Sequence, residues 1–299
     1  MTPEDLLART GGVASARLLV RGCGQAAVRA ALESGGLVRS GRGRYALPHT
    51  EAALATAHGL TGVLSHLSAA RWWGWEVKTQ PVQAWVTVPH DRKRRATSAA
   101  RLSFRDLPAA DVVPPGVTAP LRTVLDCATV LPFDEALAVA DSALRHRAVR
   151  KADAVRAADA SPARGRARRR RVARLADGRA DNPFESVLRA IALDAGLSVE
   201  PQVPIHIGTA WCRPDLLDDS RALAIEAESF TWHGERGQLT WDCQKYNGLT
   251  GLGLRVLRFA WEQVILNPDY TRAVLMSAAT GIGGWNGPIS THPGSNAGR

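Results

Sequence analysis

Residues 213–228 read RPDLLDDSRALAIEAE, and this stretch decides how the C-terminal third of the chain folds. Asp218-Asp219-Ser220 is a turn, so the apolar residues on either side form two neighbouring strands. Strand side chains alternate with period two, which puts Glu226 and Glu228 on one face. Asp215 directly follows Pro214 in the preceding strand. Two adjacent strands therefore bring three carboxylates to one edge of a sheet. Leu223, Ala224, Ile225 and Ala227 look buried, so these acids interrupt an apolar strand instead of decorating a solvated one. Like charges gathered there need compensation, and the natural partner is an oxygen-preferring cation: Mg²⁺, with Mn²⁺ as an alternative.

Upstream, NPFESVLRAIALDAGL (182–197) opens with an N-cap and a proline in the first turn. Phe184, Val187, Leu188 and Ile191 form an apolar stripe, and Glu185 lies near the helix start. VEPQVPIHI is an extended segment. Downstream comes a helix carrying Trp241, Tyr246 and Leu249, then a strand RVLRFAW and a last helix. The order α-β-β-β-α-β predicts a mixed sheet flanked by helices over 181–280.

FESVLR, RPDLL, LAIEAES and WDCQKYNGLTGLGLRVLRFAWEQV occur here in order, covering 183–265. In that order they resemble the PD-(D/E)xK nuclease superfamily, and more narrowly the domain of unknown function 559, related to very-short-patch-repair endonucleases. The resemblance implies Asp215 and Glu226 as metal ligands, with the Ala227 carbonyl as a third. It implies Glu185 as a ligand directly or through water. Glu228 stands where the superfamily carries lysine, a position at which some restriction enzymes have a glutamate as general base. Lys245 on the following helix would supply the missing positive charge. Ser229 replaces a glycine usual in the family, and His233 is a candidate for its histidine.

The N-terminal fifty residues predict three short helices and a hairpin. Thr2 caps PEDLLAR, Gly11-Gly12 breaks it, and ASARLLVR and QAAVRAALE follow. Ala27, Val28, Ala31 and Leu32 share one face of the third helix. LVRSGRGRYAL is strand–turn–strand, with Gly41 and Gly43 in the turn. That pattern is a winged helix over 1–50, with Arg29 on the recognition helix and Arg39, Arg42 and Arg44 on the wing facing double-stranded DNA. The alternative is a protein-binding module with a solvated basic hairpin.

Residues 55–160 predict a mixed α/β region: GVLSHLSAARWWGW as helix, AWVTVP and LSFR as strands, and two helices from Pro120 and from PFDEALAV. HDRKRR (90–95) adds a basic patch. Trp72, Trp73 and Trp75 read as core. Ser65 and His66, adjacent on a helix, would point to different faces and make a poor catalytic pair. With GVLSHLSAA and TAPLRTVLD, the front of the chain is similar to antitoxins of abortive-infection type IV toxin–antitoxin systems. That likeness implies promoter binding and a cognate toxin partner. Residues 161–180 hold an arginine run, a linker or a solvated helix face, and 281–299 a Gly/Pro/Ser-rich tail expected to be disordered.

The fold class expected is α+β multidomain. A formal charge of +10 over 299 residues favours phosphate polyanions. Cys23, Cys127, Cys212 and Cys243 are scattered without zinc spacing, and no apolar run is long enough for a membrane. A cytoplasmic protein with no membrane partner is expected. Two functions follow: a Mg²⁺-dependent DNA endonuclease guided by a winged helix, or a non-catalytic DNA-binding repressor of the antitoxin type. Action on RNA finds no aromatic platform in the sequence.

Overall fold

The computed structural model describes residues 1–92, 98–208, 210–228 and 236–280, a mixture of helices and several small sheets. The basic patch after Arg92, Ser229, His233 and the 281–299 tail lie outside these residues in whole or part. No helix among them is long and apolar enough to cross a membrane. The chain divides into two units, 1–187 and 188–299.

The first unit begins with α1 (Pro3–Arg9), β1 (Val13–Ser15), α2 (Ala16–Cys23), α3 (Gln25–Glu33), β2 (Val38–Gly41) and β3 (Arg44–Ala46). Thr2 and Asp5 close a reciprocal capping box on α1, and Ser15 caps α2. Gly24, with φ +84°, makes the tight turn into α3. Leu7, Ala14, Leu19, Val28, Ala31, Leu37 and Leu47 form the core under these helices. The strands join antiparallel in the order β1-β3-β2. Gly43 takes positive φ in the hairpin turn, but Gly41 sits in β2, opposite Arg44. Its role is close packing: a Cβ on Gly41 would meet the Gly59 carbonyl oxygen at 2.6 Å.

The chain continues through α4 (Ala52–Gly59), β4 (Val63–Leu64), α5 (His66–Trp72), β5 (Ala84–Val88), β6 (Ala100–Phe104), β7 (Val112–Val113) and β8 (Val117–Thr118). A five-stranded sheet in the order β6-β5-β4-β8-β7 mixes parallel and antiparallel pairs. GVLSHLSAARWWGW is thus not one helix. Val63 and Leu64 are drawn between β5 and β8, a non-local pairing that outweighs local helix preference. Val13 and Ala46 share a core cluster with Leu54, Leu64, Val86, Val88 and Val117, which ties the first fifty residues to this sheet. Trp75 is fully buried, and Trp72 and Trp73 pack against the cluster.

Ser65 precedes α5 instead of lying on it, and His66 enters the helix at φ +50°. The expectation that the two point apart therefore fails. Ser65 Oγ lies 2.9 Å from His66 Nδ1 and accepts from Thr87 Oγ1 at 2.9 Å. Both residues are buried, and burial pushes the imidazole down to about 4, where it stays neutral and is a weak base at neutral pH.

Helices α6 (Pro120–Val130), α7 (Phe133–Arg145), α8 (Lys151–Ala160) and α9 (Arg166–Leu175) complete the unit. The arginine run folds as α9, with Arg169 turned inward and Arg168, Arg171 and Arg174 on its exposed side. Arg169 is buried and donates to Thr129 Oγ1 at 2.8 Å, Arg168 donates to the Thr129 carbonyl, and Arg170 and Arg174 pair with Asp159. Arg171 stacks on Phe133.

The second unit starts inside α10 (Pro183–Asp194) and holds β9 (Glu200–Pro201), β10 (Ile205–Ile207), β11 (Ala210–Cys212), β12 (Leu216–Asp218) and β13 (Leu223–Glu228). After these come α11 (Arg236–Gly251), β14 (Arg255–Ala260), α12 (Trp261–Ile265) and α13 (Pro268–Thr280). Four strands form a mixed sheet, β14-β13-β12-β9, in which only β13 and β14 are parallel. The strand expected to carry Asp215 is interrupted at Pro214. Pro214 lacks an amide donor, so β11 ends before it and pairs with β10, while β12 joins the main sheet. Asp218 is fully buried and accepts from Ser198 N, Ser220 Oγ and Arg221 N, which fixes the β12–β13 turn.

The β2–α4 contact leaves no room for a methyl group: a Cβ on Gly59 would stand 1.9 Å from the Ser40 carbonyl oxygen. Gly59→Ala should destabilise the fold by about 1–3 kcal/mol through overpacking. Thermal denaturation followed by circular dichroism reads this, and an unchanged midpoint would contradict the close approach.

Candidate functional site

The acidic site is built by the register between β12 and β13. Leu216 faces Ile225, so one step further sets Asp215 opposite Glu226 on the other face of the sheet. Asp215 Oδ2 accepts from Ala227 N at 2.7 Å, which locks that alignment. Gln202, following β9 at φ +55°, donates Nε2 to Asp215 Oδ1 at 3.1 Å. A non-glycine residue in the left-handed region is uncommon, and here it aims an amide at the first acid.

Lys245, on α11, donates to Glu226 Oε2 at 2.8 Å. The other oxygen of Glu226, Oε1, is buried with no hydrogen-bond partner among the described residues. Glu226 is only 3% exposed. Burial first, then the neighbouring charge of Asp215, raises its carboxyl to about 7 despite Lys245. Asp215 is also raised by burial, against the opposing effect of the Ala227 amide and Lys245.

Glu228 shares the face, and its charge is felt by Asp215 and Glu226, but its carboxylate is already engaged. It accepts from Tyr246 Oη and, at 2.8 Å, from Arg258 Nε. Burial works to raise Glu228, yet those two donors outweigh it and hold its pKa below the ordinary glutamate value. The Arg258 guanidinium also lies 4.1 Å from the centre of the Tyr246 ring.

Glu185 belongs to the first unit. Its oxygens accept from Asp181 N at 2.8 Å and Asn182 Nδ2 at 2.7 Å, while Asn182 Oδ1 accepts from Glu185 N. This is a reciprocal cap on α10, the arrangement that an Asn–x–x–Glu spacing favours. Among the described residues no three metal-ligating side chains gather closely enough to hold an ion by themselves. What the second unit assembles by itself is a carboxylate pair, Asp215 and Glu226, with Lys245 against it.

The donor set nevertheless fits a hard cation. Mg²⁺ commonly takes only one or two protein carboxylates and fills its octahedron with waters and substrate oxygens. Glu226 Oε1 is the observation that matters: a buried carboxylate oxygen left unsatisfied normally has an ion or water for a partner. Gln202, Tyr246 and Arg258 were absent from the sequence-derived set. Gln202 carries no local signal, and Arg258 could have been found only from the parallel register that sets it opposite Glu226.

In the first unit, Arg29 on α3 and Arg39 and Arg42 on the hairpin are exposed. Arg44 is half-buried, its Nη1 3.5 Å from His58 Nε2.

No family model matches the chain. Two uncharacterized proteins of Mycobacterium tuberculosis, MT2308 and Rv2248, are each 33% identical over 155 residues, covering 50% of this chain and 57% of the relative. The chain thus spans little more than half the length of these relatives. A crystal structure of the RV2827C protein from Mycobacterium tuberculosis aligns with a TM-score of 0.35 at 18% identity, covering 67% of this chain and 82% of that one.

Glu226 binds its proton more tightly in the folded protein than in the unfolded chain. Its stabilising contribution is therefore complete below about pH 4.5 and is lost as pH rises through about 7. Glu226→Gln should gain thermal stability relative to the parent across that window and level off above it. A difference in melting temperature that stays constant with pH would contradict the buried, raised carboxyl.

Proposed function

We propose that the chain is a DNA-binding protein whose C-terminal unit hydrolyses DNA phosphodiesters with Mg²⁺. The observation that carries this reading is Glu226 Oε1, unsatisfied among the described residues beside Asp215, with Lys245 on the opposite oxygen. Asp215, Glu226 and the Ala227 carbonyl would hold the cation. When bound, the ion polarises a phosphoryl oxygen and acidifies a water. Lys245 contributes positive charge where the phosphorane develops negative charge. Glu228 is held ionised by Arg258 and is a weak proton acceptor, so its role is to seat Arg258 and Tyr246 beside the phosphate.

The order α1-β1-α2-α3-β2-β3 supports reading residues 1–50 as a winged helix. Exposed Arg29, Arg39 and Arg42 are suited to phosphates, with Arg44 a lesser contributor because His58 already faces it. Tethering a duplex reader to a hydrolytic unit raises the local concentration of substrate.

The second reading is a non-catalytic repressor of the antitoxin type with a cognate toxin. The ion pairs Lys245–Glu226 and Arg258–Glu228 favour it, because they neutralise acids without a metal.

Purified protein should nick supercoiled plasmid with Mg²⁺ or Mn²⁺, and Asp215→Ala should abolish nicking with the fold intact. No nicking by the parent under either ion would select the repressor reading. Replacing Arg39 and Arg42 by Ala should weaken duplex binding and flatten the slope of log K against log salt by about 1.8, two phosphate contacts at about 0.9 each. An unchanged slope would remove the wing from the interface.

A further inference from the structure

Two exposed tryptophans, Trp211 and Trp241, stand four residues before Asp215 and Lys245 in the chain. β10 and β11 form a hairpin whose register sets His206 opposite Trp211. Its inner residues are committed: Ile207 and Cys212 are buried with Ala224 and Leu249, and a Cβ on Gly248 of α11 would stand 2.8 Å from Ile207. Alternation turns His206 and Trp211 outward, with ring centres 5.1 Å apart and planes inclined at 59°. Trp211 is 66% exposed.

A single exposed apolar side chain needs no explanation. The direction of this one does. Pro214 confines Arg213 to extended backbone, and burial alternates from Trp211 to Pro214 as exposed, buried, exposed, buried. Trp211 and Arg213 therefore share the face of the segment that leads into Asp215, about 13 Å along an extended chain. On α11, Trp241 precedes Lys245 by four residues and so lies on the same side of the helix. It too is exposed, at 36%. Exposed aromatic side chains thus come from the strand before Asp215 and from the helix that carries Lys245.

We propose that Trp211 with His206, extended by Trp241, is a stacking platform for unpaired bases of a nucleic-acid strand led past Asp215 and Glu226. Arg213 holds a phosphate of that strand. Every base has a flat π face, so such a platform accepts any sequence but requires bases that are out of the duplex stack. The substrate class is single-stranded or locally unpaired nucleic acid, in contrast to the intact duplex suited to the N-terminal hairpin. This deepens, and rests on, the nuclease reading of the C-terminal unit.

The test uses the full chain with Ca²⁺ in place of Mg²⁺ and the fluorescence anisotropy of dye-labelled oligothymidylate, oligouridylate and a DNA duplex of equal length. Trp211→Ala should weaken oligothymidylate binding by about tenfold, while Trp211→Phe keeps most of it. Duplex affinity should change by less than about twofold, because the duplex hides its base faces. Parent-like oligothymidylate binding by Trp211→Ala, or equal losses for strand and duplex, would overturn the platform. Equal weakening of oligouridylate would extend the class to RNA, and its absence would restrict the class to DNA. Parent-like strand binding by Trp211→Ala together with Asp215-dependent nicking sinks the platform and spares the nuclease reading. Tryptophan-dependent strand binding without nicking does the reverse.

Discussion

The second unit depends on one constraint: two carboxylates, Asp215 and Glu226, are forced side by side by the pairing of β12 with β13. Removing like charges from water costs several kcal/mol per ion unless partners replace the lost hydration. The surrounding structure supplies them from three directions. The Ala227 amide and Gln202 serve Asp215, and Lys245 serves one oxygen of Glu226. Packing of α11 on the hairpin, through Gly248 against Ile207, helps set the height at which Lys245 reaches the strand. Among the described residues the compensation stops one atom short, at Glu226 Oε1.

Basic charge is used in two ways that composition alone does not separate. The arginine run is tied to the fold through Thr129, Asp159 and Phe133, while Arg164, Arg168, Arg171 and Arg174 keep an exposed face. Arg29, Arg39 and Arg42 remain exposed on the small N-terminal module. Location matters more than the total.

Local rules read much of this molecule correctly where the determinant was local. Thr2 and Pro120 mark helix starts because caps and proline act within one turn. The period of LAIEAE puts Glu226 and Glu228 on one face because alternation belongs to the strand itself. The reading failed where distant partners decide. Val63 and Leu64 join a sheet through β5 and β8, and Ser65 reaches His66 because the chain bends between strand and helix. Gln202, Tyr246 and Arg258 enter the site through registers and helix docking that no short window contains. The aromatic surface was hidden for the same reason. Trp211 becomes an outward residue only once Pro214 has ended β11 and the hairpin has folded over Leu249.

The proposed role of Asp215 and Glu226 is to hold a divalent cation between them, at the Glu226 oxygen that no described residue satisfies. Titration of Mn²⁺ into the full chain, followed by the paramagnetic resonance signal of the free ion, tests it without requiring any activity. One saturable site per chain is expected at neutral pH, lost in both Asp215→Asn and Glu226→Gln. Binding that survives the loss of either Asp215 or Glu226, or no saturable binding at all, would contradict it.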